Sequence, residues 1–528
     1  MRGLRPVFLA WLFVTTLTNA PYLRAAMDPP RGQAFIGFFF FTRNAYDDLS
    51  YVQQAESGAF LMRNKLLVDN HSPALINLEW WAVGRLSAVL GKRPLLAYRL
   101  FAVAASFFLL LGIDRWLTAA GLPESRRLPA LLLVSTAGGL GGVVFMIGLR
   151  PFYSALDVST GLFPLIELLS SPHFVAGTTL LLWSLWFFQR SDRARDVALA
   201  VGFGSVLGLV RTLDLVLLIL IHTLATLVTE PVRAWPRRLL PLAGLLPVCA
   251  YSYWLFALNP SFAYYSAAGW FPDPSDFAWA LAPALLIAVA TTLWAPKAPA
   301  EERRVRSVLS VWVACCAAIA CFRPTSFALQ FLAGVGLPIL AFAALGLSRL
   351  RPAATLATGV LLSGSALVSL QLVLGSHPLW HVPAERLRTG ESFRKVCREG
   401  DLALTPADVG LYVSAFSSCT AYLSYEMAPD YQQRVAYVAH FYEGSPAERI
   451  AVLDRLCIKH FAVPGDAGET PTSFLGASST FRRFDILGAP PLHVMSLYSR
   501  PLNACPMAPD RAPPSNRADA RGRQVGSS

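Results

Sequence analysis

The chain has 528 residues, 54% of them hydrophobic and only 15% charged, with a mean hydropathy of +0.47. A soluble protein of this size needs more polar surface to cover its domains, so the composition excludes a soluble globular chain. The net charge of +12 sits mostly on arginines in short loops; no basic stripe with aromatic interleaving exists, which argues against nucleic acid as a partner and for anionic membrane lipid.

The first apolar stretch, Val7–Tyr22, is preceded only by Arg2 and Arg5, which places its start in the cytoplasm. Thr18-Asn19-Ala20 has the small residues of a cleavage site but is followed directly by Pro21, so a retained anchor is expected. The next run places Asp47 and Asp48 just ahead of an amphipathic helix on the outer face. Asp48 reads as the N-cap of that helix, worth ~1 kcal/mol. It reads equally as a carboxylate that binds a divalent cation or takes a proton from an acceptor hydroxyl. Residues 73–91 are apolar but contain Glu79 and Arg85 and are followed by Lys92 and Arg93. They are read as a helix at the outer interface, with Trp80 and Trp81 at headgroup depth, and not as a span.

Segments long and apolar enough to span fall near 7–24, 96–116, 128–149, 174–189, 195–210, 213–229, 239–257, 278–295, 305–322, 328–348 and 353–375. Counted from a cytoplasmic N-terminus, alternate loops carry Arg115, Arg126 and Arg127; Arg190, Arg193 and Arg195; Arg233, Arg237 and Arg238; Lys297, Arg303, Arg304 and Arg306; and Arg349 and Arg351. The opposite loop Asn259–Asp276 has no Lys or Arg. This asymmetry predicts about eleven spans, with the C-terminal part outside.

Polar residues cluster at the same outer face. The loop before the fourth span holds Asp157, Glu167 and His173, and Ser171-Pro172 reads as a helix start with Ser as cap. That puts His173 in the first turn, where a single His is more often structural than catalytic. Arg211 and Asp214 are three residues apart at the outer turn between spans five and six. They pair with each other on one helical face, or Arg211 holds a lipid-linked phosphate through bidentate contacts. Arg323, at the outer end of span nine, is a second candidate for the phosphate, or snorkels to the headgroups.

The character of the chain changes at about Ser376. Strand-length runs follow (DLALTP, LYVSAF, KHFAVPG, HVMSLYS), between polar helical stretches at Tyr431–Tyr442 and Pro446–Cys457. Strands alternating with helices predict a small α/β domain, in which Glu426 and His440 are the most notable polar residues. The segment after Cys505 has almost no large apolar residues and is expected to be disordered. Cys249, Cys315, Cys316 and Cys321 lie in apolar helices and read as small hydrophobes. Cys397, Cys419, Cys457 and Cys505 fall in an oxidising compartment and allow a disulfide whose pairing stays open. No Cys/His spacing of a structural zinc site is present.

With AYDDLSY, the downstream NHSPALINLEWW and the run from ALDVST to SSPHF in place, residues 1–375 resemble the GT-C superfamily of polytopic membrane glycosyltransferases. No WWD-type motif is present, which argues against the oligosaccharyltransferase branch. The resemblance implies an α-helical polytopic GT-C-like domain over 1–375, with interfacial helices in an external loop 25–94. An extracytoplasmic α/β domain over 376–504 and a tail over 505–528 complete the chain. It also implies an enzyme of the bacterial inner (cytoplasmic) membrane that moves a hexose or pentose from a polyprenyl-phosphate carrier to an envelope glycan, lipid or protein acceptor, with inversion. Asp47 or Asp48, with Asp48 preferred, would be general base. Asp157, His173, Arg211, Asp214 and Arg323 would bind substrate, and Asp48 with Asp157 would hold a divalent cation, Mg or Mn. The rival readings are a lipid or solute transporter or flippase, and an inactive GT-C-like scaffold.

Overall fold

The computed structural model describes residues 2–464, 481–483 and 492–497, apart from 41, 69–70, 264–270, 294–298, 324, 326–327, 376–379, 407, 425–427 and 429. Glu426, Cys505 and the tail 505–528 lie outside the described residues. The chain divides into two compact units: 1–45, 55–61 and 75–382 form the first, and 46–54, 62–74 and 383–528 the second. Part of the early external loop therefore belongs to the C-terminal unit.

The first unit is helical. Seven of its described helices are long and apolar enough to cross a membrane: Arg5–Met27, Pro94–Ala119, Thr212–Thr229, Val232–Leu258, Pro274–Leu293, Ala300–Phe322 and Ala328–Leu347. The bent pair Leu156–Leu169 and Pro172–Gln189 makes an eighth if it is one span. The other expected spans are built differently. Ala194–Val210 is a helix of 17 residues, and 353–375 is two helices, Pro352–Leu362 and Gly364–Leu374, broken at Ser363. The stretch 128–149 is not one helix either. It divides into Arg127–Thr136 and Gly141–Met146, because Ala137-Gly138-Gly139-Leu140 leaves the helical path. At Gly139 the backbone passes so close to the Ala280 carbonyl that no Cβ fits.

Leu78–Val89, inside the stretch read as interfacial, is 12 residues long. At 1.5 Å per residue it reaches roughly 18 Å, well short of a ~30 Å hydrocarbon core. With it left out of the count, the loops sort to two ends of the unit. At one end Arg306 donates to the Ala120 carbonyl at 3.0 Å, Arg304 meets Glu230 at 2.6 Å and Arg238 meets Asp192 at 3.1 Å. Arg127 pairs there with Asp114 and donates to the Gly3 carbonyl. At the other end Tyr98 bonds Ser171 at 3.1 Å, the Ile76 amide donates to Tyr251 at 2.6 Å, and Asn77 donates to the Val210 carbonyl at 3.1 Å. The arginine-bearing loops gather at the first of these ends, as the alternation of charge requires.

The second unit has a five-stranded sheet in the order Thr420–Ala421, Leu402–Leu404, His460–Pro464, Leu492–Leu497, Phe481–Arg483. The first three strands run parallel and the last two pair antiparallel. The expected helices are present as Tyr431–Glu443 and Pro446–Arg455, the latter closed by a Ser445–Glu448 capping box. LYVSAF is a correction: it lies in the helix Gly410–Phe416 and not in a strand. A run of six residues carries too little periodicity to separate the two states, and bonds from the Val409 and Gly410 amides to the Pro406 carbonyl begin the turn. Cys397 and Cys419 are joined in a disulfide.

Candidate functional site

Asp47 and Asp48 lie inside the helix Thr42–Glu56, one to two turns past its start and not ahead of it, so the N-cap reading of Asp48 does not apply. Both are half-buried. Their helix is gripped within the second unit. Tyr46 packs edge-on against Tyr412 at 4.9 Å and Phe416 at 5.7 Å. Gln53 accepts from Lys65 Nζ at 2.8 Å, and the same ammonium donates to the Ser417 carbonyl at 2.7 Å and the Ser414 carbonyl at 3.2 Å. The three protons of a lysine ammonium meet three acceptors. Burial pushes the Lys65 pKa down to about 7, with Glu399 opposing the fall.

The first unit holds a buried polar cluster where the helices Leu78–Val89, Pro172–Gln189 and Thr212–Thr229 come together. Ser171 caps the second of these, accepting from the His173 amide at 3.3 Å, with Pro172 in the first turn. His173 Nδ1 lies 2.8 Å from Glu79 Oε2, and the ring stacks on Trp80 at 5.5 Å. One turn on, Gly177 has no side chain where a Cβ would collide with Arg211 Cδ and crowd Asp214. Arg211 Nε reaches Asp214 Oδ2 at 3.3 Å and Nη2 the Gln330 carbonyl at 3.3 Å, over the Phe174 ring at 4.8 Å. Thr178 donates to Glu167 Oε1 at 3.0 Å. Of the expected site residues, His173, Arg211 and Asp214 thus share one cluster.

Glu79, Glu167, Arg211 and Asp214 are at most 5% exposed. Each keeps one polar atom with no partner among the described residues: Glu79 Oε1, Glu167 Oε2, Arg211 Nη1 and Asp214 Oδ1. An unmade bond on a buried polar group costs about 1–3 kcal/mol, so four of them in one cluster mark a place for water or ligand. Glu79 and Glu167 were not among the expected site residues. Glu79 stood out only as a charge in an apolar stretch, and nothing local joins it to His173, 94 positions away.

Asp157 does something else. Its carboxylate accepts from the Gly139, Gly141 and Gly142 amides at 3.0–3.1 Å, and Ser365 ties the same loop through the Gly142 amide and the Gly139 carbonyl. It clasps the glycine break that divides the 128–149 stretch. Amide donors aimed at a carboxylate suit an anion, so this donor set does not fit a cation. Arg323 ends the helix Ala300–Phe322 at φ 46°, exposed, with its guanidinium 4.5 Å over the Phe271 ring. Among the described residues it has no ion pair.

The described residues hold one group of three metal-type ligands within 4.8 Å, Cys397, Cys419 and His460. Its sulfurs are joined to each other and are not thiolate ligands in this state.

No protein family profile and no curated protein matches the chain. Solved structures do. The oligosaccharyltransferase AglB of Archaeoglobus fulgidus, in complex with an inhibitory peptide and a dolichol-phosphate, is 10% identical with a TM-score of 0.55, over 89% of this chain and 70% of its own. The arabinofuranosyltransferase AftD from Mycobacteria is 15% identical at 0.53, over 94% and 40%. ArnT from Cupriavidus metallidurans bound to undecaprenyl phosphate is 13% identical at 0.50, over 92% and 98%. A structure of an Archaeoglobus fulgidus oligosaccharyltransferase in complex with Zn and sulfate is 11% identical at 0.53, over 87% and 68%. The chain has the fold of the GT-C membrane glycosyltransferases and is an integral membrane protein.

Proposed function

We propose that this protein moves a sugar from a polyprenyl-phosphate carrier to an acceptor at the outer membrane face, with Asp48 or Asp47 as general base. The observation that carries the reading is the cluster of four buried, incompletely bonded polar groups in a unit of GT-C fold. Such groups persist in an apolar interior when a polar ligand completes them.

The carboxylate takes the proton of an acceptor hydroxyl, and the resulting oxygen attacks the anomeric carbon from the face opposite the phosphate. The bond between that carbon and the phosphate oxygen breaks, which inverts the centre and frees the lipid phosphate. Arg211, through Nη1, or the exposed Arg323 meets the charge on the leaving phosphate. His173, fixed through Nδ1 by Glu79, and Asp214 bind sugar hydroxyls. Asp157 holds the glycine break of the 128–149 stretch in shape. Of the two residues expected to hold Mg or Mn, Asp48 would be the one left to do so, and the cation would add positive charge for the leaving phosphate.

The test is transfer from a panel of radiolabelled polyprenyl-phosphate sugars to endogenous acceptor in membranes, for wild type, Asp47→Asn and Asp48→Asn at matched protein level. Transfer from one donor, abolished by one of the two changes, is the expected result. Full activity in a third variant carrying both Asp47→Asn and Asp48→Asn would remove the pair from the mechanism. Movement of intact lipid without sugar transfer would favour a flippase.

A further inference from the structure

In the second unit the parallel strands bring three chemical groups to one end. Ala403 pairs with His460 and Leu402 with Thr420, so Asp401, Cys419 and His460 all stand at strand starts. Cys419 is fully buried, and its disulfide partner Cys397, just past the helix Ala384–Val396, is half-buried. An imidazole nitrogen of His460 and the two sulfurs lie within 4.8 Å of one another. His460 Nε2 is 3.1 Å from Asp401 Oδ2, which also accepts from the Arg398 amide at 2.8 Å, while Oδ1 takes Lys459 Nζ at 2.8 Å.

We propose that the Cys397–Cys419 bond is a site of thiol–disulfide exchange with an external dithiol, and that His460 serves the buried sulfur as proton donor. Access decides which sulfur is attacked. The incoming thiolate reaches Cys397 Sγ, the disulfide breaks, and Cys419 Sγ leaves with the electron pair. Exchange is faster the better the leaving thiolate is stabilised. His460 supplies that by giving its proton to Cys419, and Asp401 holds the imidazole through Nε2 as it does so. The second thiolate of the dithiol then attacks the reductant's own sulfur in the mixed disulfide, forming a cyclic disulfide and releasing Cys397 as thiolate; the two protons the dithiol gave to solvent return to Cys397 and to His460. Two electrons and two protons pass from dithiol to protein.

The exchange has a structural consequence. The bond closes a loop of sequence separation 22 that contains Tyr412, Ser414, Phe416 and Ser417, the residues that grip the Asp47–Asp48 helix through Tyr46 and Lys65.

The test uses the full chain in detergent, reduced by excess dithiothreitol, quenched with iodoacetamide and followed on the Cys397 and Cys419 peptides by mass spectrometry. His460→Gln and Asp401→Asn are expected to slow reduction by about tenfold or more. A purely packing role predicts the opposite sign, since a loosened disulfide reduces faster; an unchanged or faster rate in folded His460→Gln overturns the proposal. Glutathione, a monothiol, is expected to leave its adduct on Cys397, and an adduct on Cys419 contradicts the assignment. The position of the glutathione adduct on the wild type is a reading independent of variant folding.

Discussion

In the helical unit Glu79, Glu167, Arg211 and Asp214 are buried with one polar atom each left unmatched among the described residues. In the second unit Asp401 and Lys65 are buried about as deeply, yet both carboxylate oxygens and all three ammonium protons are engaged. A saturated network rigidifies, and a network with open valences waits for something. The difference separates charge that holds the fold from charge available to a substrate.

The largest effect should fall on transfer. Asp48→Asn leaves the Tyr46 and Lys65 contacts of its helix in place, and should lower transfer by about 10²–10⁴-fold without unfolding the protein. Transfer rates beside thermal melting of the same preparation check both halves. Asp214→Ala removes the carboxylate that is ion-paired with Arg211 in the open cluster, and should cost about 3–5 kcal/mol by leaving a buried cation without its pair, measured by denaturant or thermal unfolding.

One chemical change made in both networks sharpens the contrast. Asp401→Asn removes charge-assisted bonds and should cost about 1.5–3 kcal/mol. Glu167→Gln keeps an acceptor for Thr178 and replaces an unmatched oxygen, so it should cost less than about 1 kcal/mol while raising KM for the donor. Equal losses of stability in the two would erase the distinction. The smallest effect is one of pH. Burial alone would raise the Asp401 pKa, but bonds from His460, Lys459 and the Arg398 amide outweigh it and hold the group below its ordinary 3.8. Its contribution to stability is therefore present above that value and lost as pH falls through the folded-state pKa. Melting temperature of wild type should drop below about pH 4, and Asp401→Asn should flatten part of that drop.

What the sequence discloses follows range. Local chemistry was legible: Ser171-Pro172 does start a helix, and Arg211 and Asp214 do pair across three positions. Contacts between distant segments were not. His173 meets Glu79 94 positions away, and segments 46–54 and 62–74 join the C-terminal unit through Tyr46 and Lys65, neither of which carries a local signal. Two local readings failed for reasons of their own. A short apolar run served helix as well as strand in LYVSAF, and the helix around Asp47 begins at Thr42, upstream of any capping signal that Asp48 offered.

Binding of the carrier tests the central claim most directly. The solubilised protein would be titrated with a short polyprenyl phosphate and with the matching polyprenol, and the bound fraction read by native mass spectrometry for wild type and Arg323→Gln. Retention is expected to depend on the phosphate and to compete with a polyprenyl-phosphate sugar, weakened in the variant if Arg323 is the arginine that meets the phosphate and unchanged if Arg211 is. Equal retention of polyprenol and polyprenyl phosphate would contradict it.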